Sequence, residues 1–327
     1  MPGEPMPSES LPFLPRRAAL LPAAPLLVVL VSFGLTGACG GGDGGAGNAS
    51  GDAASSSSAD TAGGESGMVD PEGTAALAAA VEADDDWLEE VLGMPHRSAE
   101  NKARDPYRHP VETLTFFGIR PGMTVVELNP GGGWYTEILA PALGPDGTLI
   151  ATITDPEGDP EYYGTRLAQK MVERVGSNPE VYGNVQTVVW EPPEKNRLGE
   201  PGSADAVVTF RNFHGWIRRD QATAVLGAAF EVLKPGGVFG VVQHRAPEGA
   251  ELEAWVERGY VPEADLVALI ESAGFQIEAR SEVNANRFDT KDYPEGVWTL
   301  PPTYRLGDQD RQRYRQIGES DRMTLKF

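Results

Sequence analysis

The chain has 327 residues and a formal net charge of −21, with 27 Lys and Arg against 48 Asp and Glu. This length is enough for two domains, but the composition changes sharply along the chain. Lys and Arg form no clear cluster, and an acidic chain repels phosphate backbones, so we expect no nucleic acid among its partners. With 4 His and 1 Cys, we expect no metal site for zinc or iron.

Residues 1–38 have the pattern of an export signal. Arg16 and Arg17 precede an apolar run at 18–35, and small residues then lead to Cys39. This arrangement resembles the lipobox of bacterial lipoproteins, which implies cleavage before Cys39 and lipidation of that residue; the arginine pair also loosely resembles a twin-arginine signal. We therefore predict an exported cell-envelope lipoprotein that contacts the membrane through an N-terminal lipid anchor. An uncleaved membrane anchor and plain secretion are the alternatives.

Residues 39–73 consist almost entirely of Gly, Ser, Ala and Asp. Such a segment buries too little apolar surface to offset the entropy of ordering, so we predict a disordered tether. Residues 74–122 are predicted to form an N-terminal helical cap. Its two helices are expected at 75–92 and 107–117, and Gly118 ends the second.

Strands and helices alternate regularly over residues 123–327, which indicates an α/β domain with a parallel sheet covered on both faces. We predict strands at 123–128, 148–154, 184–190, 204–210, 237–243, 275–283 and 322–327. We predict helices near 133–142, 161–175, 218–234 and 262–273. Residues 284–320 are rich in Pro, Tyr and Arg and are predicted to form a long insertion between the last two strands. Long ordered insertions beside a ligand crevice are commonly functional.

Residues 123–139 combine a short apolar run, an acid, a triple-glycine turn and helical spacing. Gly131, Gly132 and Gly133 let the backbone approach a ligand closely, and the helix that follows presents free N–H groups. Glu127, at the carboxyl end of the strand, is placed to accept hydrogen bonds from ligand hydroxyls or an amino group. A plain turn is the alternative, because glycine-rich turns also end ordinary loops.

Three motifs in this order and spacing resemble those of class I S-adenosylmethionine-dependent methyltransferases. They are the acid and glycine turn at 127–133, the segment 204–214 after the fourth strand, and the Leu-Lys-Pro-Gly-Gly turn at 233–237. The segment from Arg97 is similar to one in a group of predicted exported methyltransferases. The resemblance implies a Rossmann-like, seven-stranded, mostly parallel sheet with helices on both faces and the last strand antiparallel. Asn129 departs from the family pattern, which has glycine there, but Asn tolerates left-handed backbone geometry.

The resemblance also implies a cofactor, S-adenosyl-L-methionine, and the residues that bind it. These cofactor-binding candidates are Glu127, Asn129, Gly131, Gly133, Asp155, Trp190, Glu191, Arg211 and Asn212. By resemblance, Asp155 contacts the ribose hydroxyls, and Trp190 with Glu191 flanks the adenine. The alternatives are a turn residue before Pro156 for Asp155 and a core residue for Trp190.

Methyl transfer is an in-line displacement that needs aligned atoms more than acid–base groups. A general base helps when the acceptor is a hydroxyl or a protonated amine, and His214 and His244 lie at strand ends that open on the crevice. Tyr107 is the third catalytic candidate. Arg104, Arg108 and Tyr135 are the substrate-binding candidates. For each, a structural role in packing or in a salt-bridged surface is the alternative.

The sequence therefore predicts transfer of a methyl group from S-adenosylmethionine to a small-molecule or other non-nucleic-acid acceptor. The alternative is a ligand-binding or scaffold lipoprotein that reuses the methyltransferase fold without catalysis, since fold alone does not settle function.

Overall fold

The computed structural model describes residues 86–327. The predicted export signal at 1–38, Cys39 and the predicted tether at 39–73 lie outside the described residues, and lipidation of Cys39 stays a prediction. Within the described part, no helix combines the length and the apolar character that crossing a membrane requires.

The described residues form a seven-stranded sheet flanked by helices. Its strands are β1 (Thr124–Leu128), β2 (Thr148–Ile153), β3 (Val185–Val189), β4 (Ala204–Phe210), β5 (Leu233–His244), β6 (Ala279–Ser281) and β7 (Arg322–Lys326). The helices are α1 (Asp86–Gly93), α2 (Ala99–Lys102), α3 (Asp105–Arg108), α4 (Pro110–Phe116), α5 (Thr136–Leu143), α6 (Tyr163–Ser177), α7 (Pro179–Tyr182), α8 (Phe213–Arg218), α9 (Ala222–Val232), α10 (Leu252–Val256), α11 (Glu263–Ser272), a 3-10 turn (Gly296–Thr299) and α12 (Arg311–Ile317).

The strand order is β3-β2-β1-β4-β5-β7-β6. Strands β1 to β5 pair in parallel, and β7 is antiparallel to both β5 and β6. The predicted fold class, a mostly parallel Rossmann-like sheet with the last strand antiparallel, is confirmed. The order reverses between β1 and β4, which is the place where open α/β sheets bind ligands.

Both faces of the central strands are buried. Val125 packs in one hydrophobic cluster and its neighbour Val126 in another, because successive side chains of a strand point to opposite faces. This burial explains why the central strands are mostly apolar in the sequence.

Several element boundaries differ from those predicted, and β5, for example, begins at Leu233 rather than at residue 237. The single helix expected at 107–117 is two helices, because His109 takes a left-handed φ of 42° and Pro110 has no N–H to donate. The helix expected at 218–234 covers only Ala222–Val232, because Asp220 takes a left-handed φ of 54° before it and β5 begins at Leu233 after it. The sixth strand is much shorter than predicted, at Ala279–Ser281.

The connection between β6 and β7 is long and largely irregular. Within it, Tyr293, Leu300 and Tyr314 form a small hydrophobic cluster of their own. This cluster gives the segment an anchor independent of the sheet, and the 3-10 turn beside it contributes Val297 and Trp298 to the crevice described below.

Candidate active site

A crevice of about 630 Å³ opens at the carboxyl ends of β1, β2 and β4, where the strand order reverses. Six parts of the chain line it: the α2–α3 region, the loop after β1, the end of β2 with the start of α6, the end of β4, the end of β5, and the β6–β7 connection. Its lining residues include Asn129, Gly131, Thr154, Tyr163, Arg211, Asn212, His214, His244, Trp298 and Ser320.

The loop after β1 is held in left-handed geometry at several positions. Asn129 has a φ of 48° and Gly131 a φ of 59°, and a Cβ added at Gly131 would meet nothing within 4 Å. The Asn129 N–H donates to Thr152 Oγ1 at 2.8 Å, and Asn212 Nδ2 donates to Leu128 O at 2.9 Å. The loop is therefore fixed from both neighbouring strands, and its open backbone fits the close approach of a nucleotide-type ligand.

Glu127 lies beneath this loop and does not line the crevice. Its carboxylate accepts a hydrogen bond of 2.6 Å from Thr136 Oγ1, and burial raises the pKa of Glu127 to about 7. Burying a carboxylate at such a cost is common at functional sites, because burial disfavours the charged form. The predicted contact between Glu127 and the cofactor stays a prediction.

Replacement of Glu127 by Gln is expected to stabilise the ligand-free protein above pH 7. The folded-state pKa of about 7 lies above the ordinary value of 4.5. Between pH 4.5 and pH 7 the carboxyl group ionises more readily in the unfolded state, so the free energy of unfolding falls as pH rises through this range. The variant lacks this penalty and should gain about 2 to 3 kcal/mol at pH 8, with little gain at pH 4.5. Urea denaturation at both pH values measures it, with exposed Glu173→Gln as the control. Equal effects at the two pH values would contradict the argument.

The residues expected around the ribose and adenine are not part of the crevice wall. Asp155 pairs with Lys195 at 3.3 Å, and its pKa is lowered by a backbone hydrogen bond from Glu157 and then by Lys195. Trp190 is buried and donates to Asn196, and Glu191 pairs with Lys195 at 2.9 Å. Their predicted cofactor roles stay predictions. The wall at the end of β2 is formed instead by Thr154, which lies as near the strand end as Asp155 and is the alternative to it, and by Tyr162 and Tyr163, which the sequence did not single out.

Arg211 follows β4 directly, with a left-handed φ of 68°. A non-glycine residue in this conformation is strained, and such residues cluster at ligand sites. Burial lowers the pKa of Arg211 to about 10, and the positive charges of Arg322 and Arg104 act in the same direction. Gly133 lies in the turn before α5 and does not line the crevice; Arg174 Nη1 donates to its carbonyl at 3.0 Å.

Two histidines lie together on the crevice wall, with ring centroids 6.0 Å apart. Burial lowers the pKa of His214 to about 4 and that of His244 well below 6.5, so both are neutral at pH 7. Gln243 Nε2 lies 3.4 Å from Nδ1 of His214, which places the proton of His214 on Nε2. His244 Nδ1 lies 2.5 Å from Ser320 Oγ. Ser320 Oγ can accept a hydrogen bond from Nδ1–H, which leaves Nε2 of His244 without a proton.

The substrate-binding candidates occupy two different environments. Arg104 and Arg108 line the crevice, and both donate through Nε to the carboxylate of Glu319. Tyr135 is buried behind the wall, stacked on Phe210 with centroids 3.4 Å apart.

Tyr107, a catalytic candidate, lies outside the crevice. Its exposed ring lines a separate surface hollow with residues of α12. Its catalytic role therefore stays a prediction without geometric support. Among residues 86–327, no three His, Cys, Asp or Glu side chains are grouped so as to hold a metal ion.

A ligand crevice at the switch point of a Rossmann-like sheet, with a left-handed glycine loop, is the arrangement of nucleotide-cofactor enzymes. Two relatives with similar sequences show which kind of nucleotide-cofactor enzyme this is. The proteins named ribosomal RNA large subunit methyltransferase E from Bradyrhizobium sp. strains ORS 278 and BTAi1 are each 30% identical over 189 residues, 53% of this chain and 74% of each relative. No protein-family model matches the chain. The chain belongs to the class I S-adenosylmethionine-dependent methyltransferases, the family of these two relatives, which agrees with the predicted cofactor.

Solved structures with similar folds include further methyltransferases. A SAM-dependent methyltransferase from Aquifex aeolicus is 19% identical, covers 63% of this chain and 92% of its own, and has a TM-score of 0.43. Geranyl diphosphate C-methyltransferase from Streptomyces coelicolor is 13% identical, covers 72% and 86%, and has a TM-score of 0.47. Similarity at this level carries no information about the substrate of this chain.

The expectation that nucleic acid is excluded is wrong. The two named relatives are ribosomal RNA methyltransferases, so the expected acceptor class, a small molecule or other non-nucleic-acid compound, is overturned. The net charge was a poor guide to the acceptor class because it is a sum over the whole chain. The crevice has a different local charge, since Arg104, Arg108 and Arg211 line it. The names of the relatives give no support to a membrane anchor.

Proposed function

We propose that the protein transfers a methyl group from S-adenosylmethionine to an RNA acceptor. The observation that carries this is a single crevice, lined by the loop residues Asn129 and Gly131 at one part and by His214 and His244 at another. RNA is proposed because the named relatives act on ribosomal RNA. The guanidinium groups on the crevice wall are suited to phosphates.

When bound, S-adenosylmethionine supplies a methyl group activated on a sulfonium sulfur. The chain's own contribution is to hold the acceptor in line and to take up its proton. We assign proton uptake to Nε2 of His244, since its Nδ1 can donate to Ser320. His214 carries its proton on Nε2 and is suited to donate a hydrogen bond to the acceptor.

The test uses the full chain, titrated calorimetrically with S-adenosylmethionine and its demethylated product, followed by labelled methyl transfer to RNA. We expect binding of both and label in RNA rather than in DNA or protein. His244→Gln should lower turnover by about 10²-fold without changing cofactor affinity, because removal of a general base affects only the chemical step. His214→Gln should have a smaller effect on turnover. An absence of binding at about 1 mM cofactor would overturn the proposal.

Export of the chain, predicted from residues 1–38, is proposed on the sequence alone. Arg16, Arg17 and the apolar run at 18–35 support it. Fractionation of cells that express the full chain with a C-terminal tag measures it. Recovery with ribosomes in the cytoplasmic fraction would contradict export, and recovery outside the cytoplasm would contradict a ribosomal acceptor.

A further inference from the structure

Three arginines bond to one carboxylate, that of Glu319, at the side of the crevice, and a fourth, Arg211, lines the same crevice. Glu319 Oε1 accepts from Arg104 Nε at 2.8 Å, and Glu319 Oε2 accepts from Arg108 Nε at 3.0 Å and Arg322 Nη1 at 3.2 Å. Arg211 is near enough for the charges of Glu319, Arg322 and Arg104 to shift its pKa. Four guanidinium groups and one carboxylate leave an excess of positive charge within this cluster, which we call the Glu319 cluster.

The hydrogen-bond donors of the Glu319 cluster are used unequally. All three side-chain nitrogens of Arg322 donate hydrogen bonds: Nε to the Ser320 carbonyl, Nη1 to Glu319 and Nη2 to the Tyr107 carbonyl. In Arg108, only Nε donates a hydrogen bond. Its Nη1 and Nη2 are buried with no hydrogen-bond partner among residues 86–327, and the side chain is 1% exposed.

Arg104 and Arg211 also keep donors unused. Arg104 Nη2 is buried without a partner, and the Arg211 side chain has no hydrogen bond or ion pair within residues 86–327. Both side chains are partly exposed and line the crevice. Unpartnered guanidinium donors are costly when buried, so this side of the crevice suits a ligand with several anionic oxygens.

The cofactor itself does not supply such a group. S-adenosylmethionine carries a sulfonium charge, and its one carboxylate is balanced by its own ammonium group, so its binding adds positive charge to the crevice. A phosphate carries one or two negative charges on oxygens whose spacing matches the fork of a guanidinium group. A phosphate therefore fits the Glu319 cluster better than the cofactor does.

We propose that Arg104 and Arg211 bind a phosphate group of the methyl acceptor, with Arg108 stabilising its charge from below. This inference rests on the proposed function, because it places the phosphate beside His214 and His244 on the same wall. The bound phosphate then anchors the acceptor, and the group to be methylated is directed towards the histidines. Glu319 holds the arginines apart and in position.

The test compares adenosine 5′-monophosphate with adenosine as ligands of the full chain, saturated with S-adenosylhomocysteine so that the cofactor part of the crevice is filled. We expect the monophosphate to bind at least about tenfold more tightly than adenosine. Arg211→Gln and Arg104→Gln should each remove about tenfold of that affinity. Arg218→Gln is the matched control, because Arg218 is on the neighbouring helix α8, is exposed and pairs with Glu257. It should change the affinity less than about twofold.

Two results would overturn the inference. The first is equal affinity for the monophosphate and adenosine. The second is an Arg211→Gln variant that loses S-adenosylhomocysteine binding about tenfold while binding the monophosphate as before, which would assign the cluster to the cofactor carboxylate. Thermal unfolding of each variant excludes misfolding as the cause. Failure of the proposed function is distinct from both, since it would appear as absent cofactor binding or absent methyl transfer in the unaltered chain.

Discussion

Replacement of Glu319 by Ala is expected to lower the free energy of unfolding by about 3 to 5 kcal/mol, because it removes the carboxylate on which three arginines converge. The Glu319 side chain is 4% exposed, and its partner Arg108 is 1% exposed. Without Glu319, Arg108 and Arg322 would be buried next to each other with no negative charge between them. Repulsion and lost charge-assisted hydrogen bonds then add to the cost.

Urea denaturation at pH 7 measures the loss. Glu200→Ala is the control, since Glu200 also pairs with an arginine but is exposed, and its loss should change stability by less than about 1 kcal/mol. Phosphate buffer should restore part of the stability of Glu319→Ala relative to chloride of equal ionic strength, because an anion can take the place of the carboxylate. A Glu319→Ala variant as stable as Glu200→Ala would contradict the charge argument.

Replacement of Gly296 by Ala is expected to cost about 3 to 4 kcal/mol. Gly296 has a left-handed φ of 57°, and an added Cβ would lie 2.4 Å from the Arg258 carbonyl oxygen and 2.8 Å from the Arg258 Cα. These are backbone atoms, so no side-chain rotation can relieve the contact. The segment must shift, and Val297 and Trp298 on the crevice wall shift with it.

Gly307→Ala is the matched control within the same β6–β7 connection. Gly307 also has a left-handed φ, of 62°, but an added Cβ would meet nothing within 4 Å. Its cost should be limited to the conformational preference, about 1 to 2 kcal/mol. Thermal unfolding together with calorimetric titration of S-adenosylhomocysteine separates the two variants. Equal losses would mean that the contact with Arg258 is relieved elsewhere.

The strands and the loop after β1 were predictable because their signals are local. Val125 and Val126 belong to a short, mostly apolar run that is buried on both faces. Asn129 and Gly131 adopt the left-handed geometry that their residue types permit. The break at His109 was missed because helical spacing continues through it, although Pro110 was the available signal.

The sequence placed Asp155 and Trp190 at strand ends but could not say where their side chains point. In the structure, Asp155 pairs with Lys195 and Trp190 packs edge to face on Trp216. Ser320 and Trp298 were not singled out at all, because nothing local distinguishes them from other residues of an irregular segment. They are part of the candidate site because the fold brings them to the two histidines. His244 contacts Ser320, and the ring centroids of His214 and Trp298 are 5.7 Å apart.

The sequence by itself determined the sheet and the glycine loop, because hydrophobic periodicity and turn chemistry act over a few residues. The cofactor was implied by the resemblance of three motifs to those of a known family. Only the tertiary structure decided which groups meet in the crevice. Arg104 and Glu319 are 215 positions apart, and their ion pair forms because β7 inserts between β5 and β6, which brings the residues just before β7 to the crevice. The net charge of the whole chain combines the arginines of the crevice with acidic residues elsewhere, so it does not indicate the group of arginines that the fold brings together.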